Sequence, residues 1–185
     1  MKAALMIVDM VKDFTEPAGA VYYPETGAIL PNIRKVLQKC RENHVLIVFL
    51  QQRMRKGKPD PAFAGMRPNC IEGSGGEELD SSLTVEEGDY IIPKRRYSGF
   101  FGTDLDLVLR ENGIDTVVVA GTKTNCCVRA TVEDAFYRNY KVVVLSDCVS
   151  TNSEEITQVH LDDIRRYFGT VTDSGTWLQC LGKEA

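Results

Sequence analysis

The chain has 185 residues, 43% of them hydrophobic and 26% charged, with a formal net charge of -4. This length and balance fit one soluble domain spanning 1-185 with a full hydrophobic core. The basic clusters, Arg53 to Lys58 and Lys94 to Arg96, are short in an acidic chain, so nucleic acid is not an expected partner.

Apolar, β-rich runs alternate with helical patterns along the chain. The first predicted strand is Ala3–Val8, followed by Asp9. Its apolar run is too short to span a membrane and lacks a small-residue cleavage site, so neither a membrane nor an export signal is expected. Pro31–Asn43 places Ile33, Val36, Leu37 and Cys40 at helical spacing, and a strand is predicted at Val45–Leu50. The stretch from Gln51 to Gly88 is rich in Gly, Pro and charge. Loops of such length are usually functional, and this one is expected to cover part of a site.

A third strand is predicted at Tyr90–Ile92. Thr103 suits the cap of a helix over Asp104–Glu111, and Asn112-Gly113 suits its end. A strand at Thr116–Ala120 leads through Gly121 to Asn125–Tyr137, with Thr124 as the expected helix cap. Lys141–Leu145 and a weak Thr170–Thr172 complete the strands. Ser153 starts a helix running towards Phe168, and a last helix spans Ser174 to Leu181. The alternation predicts a three-layer α/β/α domain with a mainly parallel sheet.

Six cysteines stand at 40, 70, 126, 127, 148 and 180, none in a CxxC pair. Free thiols in a reducing cytoplasm are expected. Cys40, Cys148 and Cys180 read as small buried hydrophobes.

Ligands of open parallel sheets bind beyond the carboxyl ends of the strands. Asp9 follows the first strand, Lys94 the third, and Gly121-Thr122-Lys123-Thr124-Asn125-Cys126-Cys127-Val128 the fourth. A cysteine in the first turn of a helix meets the positive end of the helix dipole and unpaired N–H groups, which lower a thiol pKa and can hold an oxyanion. Asp9 is positioned in sequence to take the thiol proton. Each residue also has a structural reading: Asp9 as a loop acid or cap, Lys94 as a surface cation, Cys127 as core.

Together these segments resemble the isochorismatase-like cysteine hydrolase family, which includes nicotinamidases, N-carbamoylsarcosine amidases and ureidoacrylate amidohydrolases. The resemblance rests on Ile7-Val8-Asp9-Met10 with Asp13-Phe14. It rests also on Lys94 with Tyr97-Ser98-Gly99-Phe100 and Thr103-Asp104-Leu105. The third motif is Gly121, Thr124-Asn125, Cys127-Val128, Thr131 and Asp134-Ala135. It implies a Rossmann-like strand order of 3-2-1-4-5-6. Asp9, Lys94 and Cys127 are the implied catalytic residues, with Cys127 as nucleophile and Cys126 as packing. A cis peptide between Thr122 and Lys123 is implied too, with the backbone N–H groups of Lys123 and Cys127 as the oxyanion hole. Lys123 stands where the family commonly has a small residue. No organic cofactor is implied, and a homo-oligomer, dimer or tetramer, is expected.

Zinc-containing members carry an Asp-x-His pair after the second strand and a later His. Here Gln52, Met54 and Asn69 stand at those positions, and the only histidines are His44 and His160. Amides and a thioether are poor zinc ligands, so no metal is expected. The resemblance thus implies a cysteine-dependent amidohydrolase acting through a thioester. The expected partner is a small amide or N-carbamoyl compound bearing a carboxylate, met by Arg53, Arg55, Lys56, Lys58, Arg67, Arg95 and Arg96. Phe14, Gln52, Arg53, Tyr97 and Phe100 are the candidate substrate-binding residues. The alternatives are a nicotinamidase-type deamidase and a non-catalytic oligomeric binding module.

Overall fold

The computed structural model describes residues 1–181. Its centre is the strand β1 (Ala3–Val8), all of whose residues are buried. Side chains alternate across a strand. Ala4, Met6 and Val8 therefore enter one core, and Leu5 and Ile7 enter another. Burial on both faces explains the unbroken apolar run. Complete burial of Leu5 or Ile7 contributes about 1.5–3 kcal/mol each.

The other strands are β2 (Leu46–Gln52), β3 (Tyr90–Lys94), β4 (Thr116–Thr122), β5 (Lys141–Ser150) and β6 (Thr170–Thr172). All pair in parallel, in the order β3-β2-β1-β4-β5-β6. β2 to β5 run further at their carboxyl ends than their apolar runs predict. Those end residues interrupt the apolar runs with polar side chains, Pro93 and Gly121 and read as loop, but the ladder continues through them, with Gln52 opposite Lys94 and Thr122 opposite Ser150.

Helices cover both faces. α1 (Lys12–Thr15) and α2 (Pro24–Ala28) are single turns, too short to leave a periodic signature. α3 (Leu30–Glu42) buries Ile33, Val36, Leu37 and Cys40 at the predicted spacing. It starts one residue early because Pro31, which has no N–H to donate, fits the first turn. α4 (Leu105–Glu111), α5 (Arg129–Tyr137) and α6 (Glu154–Tyr167) follow, then α7 (Ser174–Leu181). The core containing Met6 and Val8 is closed by Leu105, Val132 and Leu161 of α4, α5 and α6. The core containing Leu5 and Ile7 is closed by Ile33 of α3 and Trp177 of α7. The Oγ of Ser153 accepts from the N–H of Ile156 and caps α6 as predicted.

Thr124 is not the cap that the sequence suggested. Thr124–Val128 form a π-helical turn, and α5 begins only at Arg129. The Val128 N–H reaches back five residues to the Lys123 carbonyl at 3.1 Å. Among the described residues the Thr124 hydroxyl has no hydrogen-bond partner. Isolated π-turns are rare and concentrate at functional sites.

β1 and β4 diverge beyond their carboxyl ends, at the point where strand order reverses. Gly121 has φ 112°, and a Cβ there would lie 2.1 Å from the Val8 carbonyl oxygen. Only glycine permits this approach, which sets the end of β1 against the start of the π-turn.

The segment 53–89 links β2 to β3. Asp13 anchors it: its carboxylate accepts from the N–H of Cys70 at 2.5 Å and of Ala20 at 3.0 Å. Met54 and Cys70 share a further backbone bond of 2.8 Å. These ties fold the segment back over the carboxyl edge of the sheet.

Candidate functional site

Asp9, Lys94 and Cys127 come together at that edge. Asp9 leaves β1 in the left-handed region, φ 51°, a conformation that aspartate tolerates better than most residues. Its N–H donates to the Leu50 carbonyl at 2.8 Å, and its Oδ1 accepts from the Gln52 N–H at 2.7 Å. Its Oδ2 lies 2.7 Å from Lys94 Nζ, with both side chains 0% exposed. Lys94 Nζ also donates to Gln52 Oε1 at 3.0 Å and to the Arg96 carbonyl at 3.1 Å. Gln52 therefore holds both members of the ion pair, one through its backbone and one through its side chain.

The electrostatics of this centre follow from its burial. Burial works against the charge on Lys94, but Asp9 and the adjoining Cys127 outweigh it and raise the lysine pKa above its ordinary value. The sequence led to an expectation of a depressed Cys127 pKa, and the structure corrects it. The hydrogen bond with Cys126 and then burial push the Cys127 thiol well up, Asp9 adds to this, and Lys94 opposes it. That same hydrogen bond draws Cys126 down. A buried thiol beside a carboxylate rests protonated and requires a base before it can attack.

The second and third motifs are clipped together. The Gly99 N–H donates to Thr131 Oγ1 at 3.0 Å, Thr131 Oγ1 donates to the Cys127 carbonyl at 2.7 Å, and Ser98 Oγ donates to Asp134. The loop after Lys94 is thereby pinned to the helical turn that carries Cys127. The Thr122–Lys123 peptide is cis, as the resemblance implies. Among the described residues the Lys123 N–H has no protein acceptor.

Above this group opens a cavity of about 660 Å³, with Cys126, Cys127 and Gln52 in its lining. Phe14 and Tyr97 line it as expected. Phe100 does not: it is buried, stacked on Tyr140 at 5.9 Å and covered by the Arg138 guanidinium at 4.9 Å. Arg53 does not line it either, because its guanidinium pairs with Glu72 at 2.9 Å. Arg96 pairs with Asp60, while Arg55, Lys58 and Arg67 reach the cavity. Lys123 lines the cavity, with its ammonium 4.0 Å above the Tyr23 ring. Cys126 is more than packing, since it borders the cavity beside Cys127. Cys180 is exposed rather than buried, whereas Cys40 is buried and its thiol is pushed to about 12 by desolvation.

Composition did not single out the wall residues Val21, Phe63, Met66 and Ile71. The length of the loop was the one signal for Phe63, Met66 and Ile71, and Val21, between α1 and α2, had none. Which of its side chains turn inward follows from how Asp13 and the Met54–Cys70 pairing fold it.

Gln52, Met54 and Asn69, at the zinc positions of the resemblance, all line the cavity. They do not fit the metal. Gln52 Oε1 is taken by the Lys94 ammonium, and Gln52 Nε2 donates to the Met54 sulfur at 3.2 Å. Among the described residues no group of three His, Cys, Asp or Glu is placed to hold an ion. His160 Nδ1 lies 2.8 Å from Arg129, and His44 occupies the turn after α3.

Comparison with known proteins agrees with this architecture. A family profile describing an isochorismatase domain matches residues 3–176. An isochorismatase-like hydrolase from Alkaliphilus metalliredigens superposes with a TM-score of 0.92 at 35% identity, over 97% of this chain and 99% of that one. The N-carbamoylsarcosine amidase of Thermoplasma acidophilum gives a TM-score of 0.85 at 36% identity, over 94% and 97%. The uncharacterized isochorismatase family protein YwoC of Bacillus subtilis (strain 168) is 34% identical over 160 residues, 83% of this chain and 80% of that protein. The chain belongs to the isochorismatase-like hydrolase family.

Proposed function

We propose that the protein is a cysteine-dependent amidohydrolase that cleaves an amide or N-carbamoyl C–N bond through a thioester on Cys127, without a metal. The observation that carries this reading is the buried Asp9–Lys94 pair set against Cys127 beneath an accessible cavity. A structural role alone is a weak reason for such a pair, because desolvating two charges costs more than a well-packed apolar replacement.

The substrate carbonyl sits over the Cys127 sulfur. Asp9 accepts the thiol proton as the sulfur bonds to the carbonyl carbon, and the oxyanion is met by the N–H groups of Lys123 and Cys127. Asp9 then passes the proton to the departing ammonia or amine as the C–N bond breaks. Water attacks the thioester with Asp9 as base, releasing the acid and restoring the thiol. Lys94 orients Asp9 through their 2.7 Å contact. Gln52, Met54 and Asn69 leave this chemistry to the protein's own groups.

Six free thiols fit a reducing, cytoplasmic setting. Among the described residues no helix is long and apolar enough to cross a membrane.

The test is intact-mass detection of an acyl adduct across amides and N-carbamoyl acids, nicotinamide included, with Cys127→Ala as control. An adduct on the native protein that is absent from the variant supports the thioester. Ammonia release that persists in Cys127→Ala overturns it, as does stoichiometric zinc that activity requires.

A further inference from the structure

We infer that the substrate has a bulky apolar acyl group that carries an anion at its far end. This rests on the amidohydrolase reading and names the substrate class for that site. Three observations lead to it.

The first is size. A cavity of about 660 Å³ falls within the range of roughly 300–1,000 Å³ that takes drug-sized ligands, and it far exceeds what a one-ring amide fills.

The second is the nature of the wall. Phe14, Val21, Met54, Phe63, Met66 and Ile71 face the cavity. Met66, and Tyr97 beside them, are left open to water in the protein alone, 52% and 39% exposed. The Phe63 ring meets Tyr97 edge-on at 5.3 Å, and the Tyr97 hydroxyl lies 3.7 Å from the Met66 sulfur. The tip of the long loop thus builds one apolar surface with the loop after Lys94. Apolar side chains gathered around a cavity and exposed without a ligand mark a surface awaiting one.

The third is a charge asymmetry. Arg55, Lys58 and Arg67 line the cavity and are exposed at its mouth. Among the described residues none of the three makes an ion pair, whereas the loop's other arginine, Arg53, is paired with Glu72. The single acid in the lining, Asp60, is already engaged by Arg96. At the other end, the Asp9–Lys94 pair is neutral as a unit, and the one further cation in the lining, Lys123, rests its ammonium 4.0 Å over the Tyr23 ring. An apolar chain with its amide at Cys127 and a carboxylate at the mouth meets a matching group at each level. A short acid amide leaves the apolar wall uncovered, and a neutral fatty amide leaves the three cations unanswered.

The experiment compares butanedioic acid monoamide, octanamide and octanedioic acid monoamide as substrates. The long anionic amide is expected to exceed each of the others in kcat/KM by about tenfold or more. Its advantage over octanamide should shrink as salt is raised. In Arg55→Ala/Lys58→Ala/Arg67→Ala the ratio of the long anionic to the neutral amide should fall to about one. Equal or greater kcat/KM for the short anionic amide overturns the inference while leaving the thioester intact. A parallel titration of Cys127→Ala with octanedioate and butanedioate reads binding without chemistry. Tighter octanedioate binding there, with no adduct on the native protein from any amide, sinks the amidohydrolase reading and keeps the ligand class. Failure of both overturns the two together.

Discussion

The floor and the wall of the cavity are built by opposite means. The floor consists of Asp9, Lys94 and Cys127 at the ends of three strands, with the ion pair fully buried and the ammonium also donating to Gln52 and the Arg96 carbonyl. The wall is a loop held at its base by Asp13, with exposed methionine, arginine and lysine side chains at its tip. Chemistry is placed where the parallel sheet permits no freedom. Selectivity is placed where side chains change at little cost to the fold. Floor substitutions should therefore damage catalysis and stability, and wall substitutions should damage recognition alone.

The largest expected effect is at the floor. Cys127→Ala should lower kcat by roughly 10⁴–10⁶-fold, as removing a nucleophile does elsewhere, measured by ammonia release. The folded protein should persist, since Lys94 keeps its contacts with Asp9, Gln52 and the Arg96 carbonyl when the sulfur is removed.

Next comes the pair beneath it. Asp9→Asn and Lys94→Met each leave an uncompensated buried charge and should each cost about 3–5 kcal/mol in urea denaturation. The double variant should cost much less than their sum. Simple additivity would mean that the two residues do not act as a unit.

At the wall, Phe63→Ala should raise KM by about tenfold for the best substrate, with a Tm change of only a few degrees. A large loss of stability with unchanged KM would assign the loop tip to the core instead.

The smallest effect separates the two thiols. The hydrogen bond that Cys127 donates to Cys126 raises the Cys127 pKa, so Cys126→Ala should lower it. The pH profile for alkylation of Cys127 should then move to lower pH, and modification at neutral pH should quicken. An unchanged profile would show that Cys126 does not share its proton.

Much of the floor was legible in the sequence, because each of its residues follows a strand and carries reactive chemistry. Asp9 and Lys94 stood out as charges ending apolar runs. Cys127 was separated from Cys126 by the resemblance and not by spacing. The wall was legible only as a loop too long to be a connector. Phe100 illustrates the limit. It adjoins Tyr97 in sequence, yet Tyr97 faces the cavity while Phe100 turns into the core beside Tyr140. Arg53 and Arg55 diverge in the same way, one paired with Glu72 and the other left at the mouth.

The sequence by itself determined the alternation of strands and helices, the buried centre of the sheet and the three residues at its edge. Local periodicity and the chemistry of strand ends are properties of short stretches of chain. Only the tertiary structure decided the resting protonation of Cys127, the double hold of Gln52 on Asp9 and Lys94, and which loop side chains face the cavity. Each of these depends on contacts between residues far apart in the chain, and burial sets their strength.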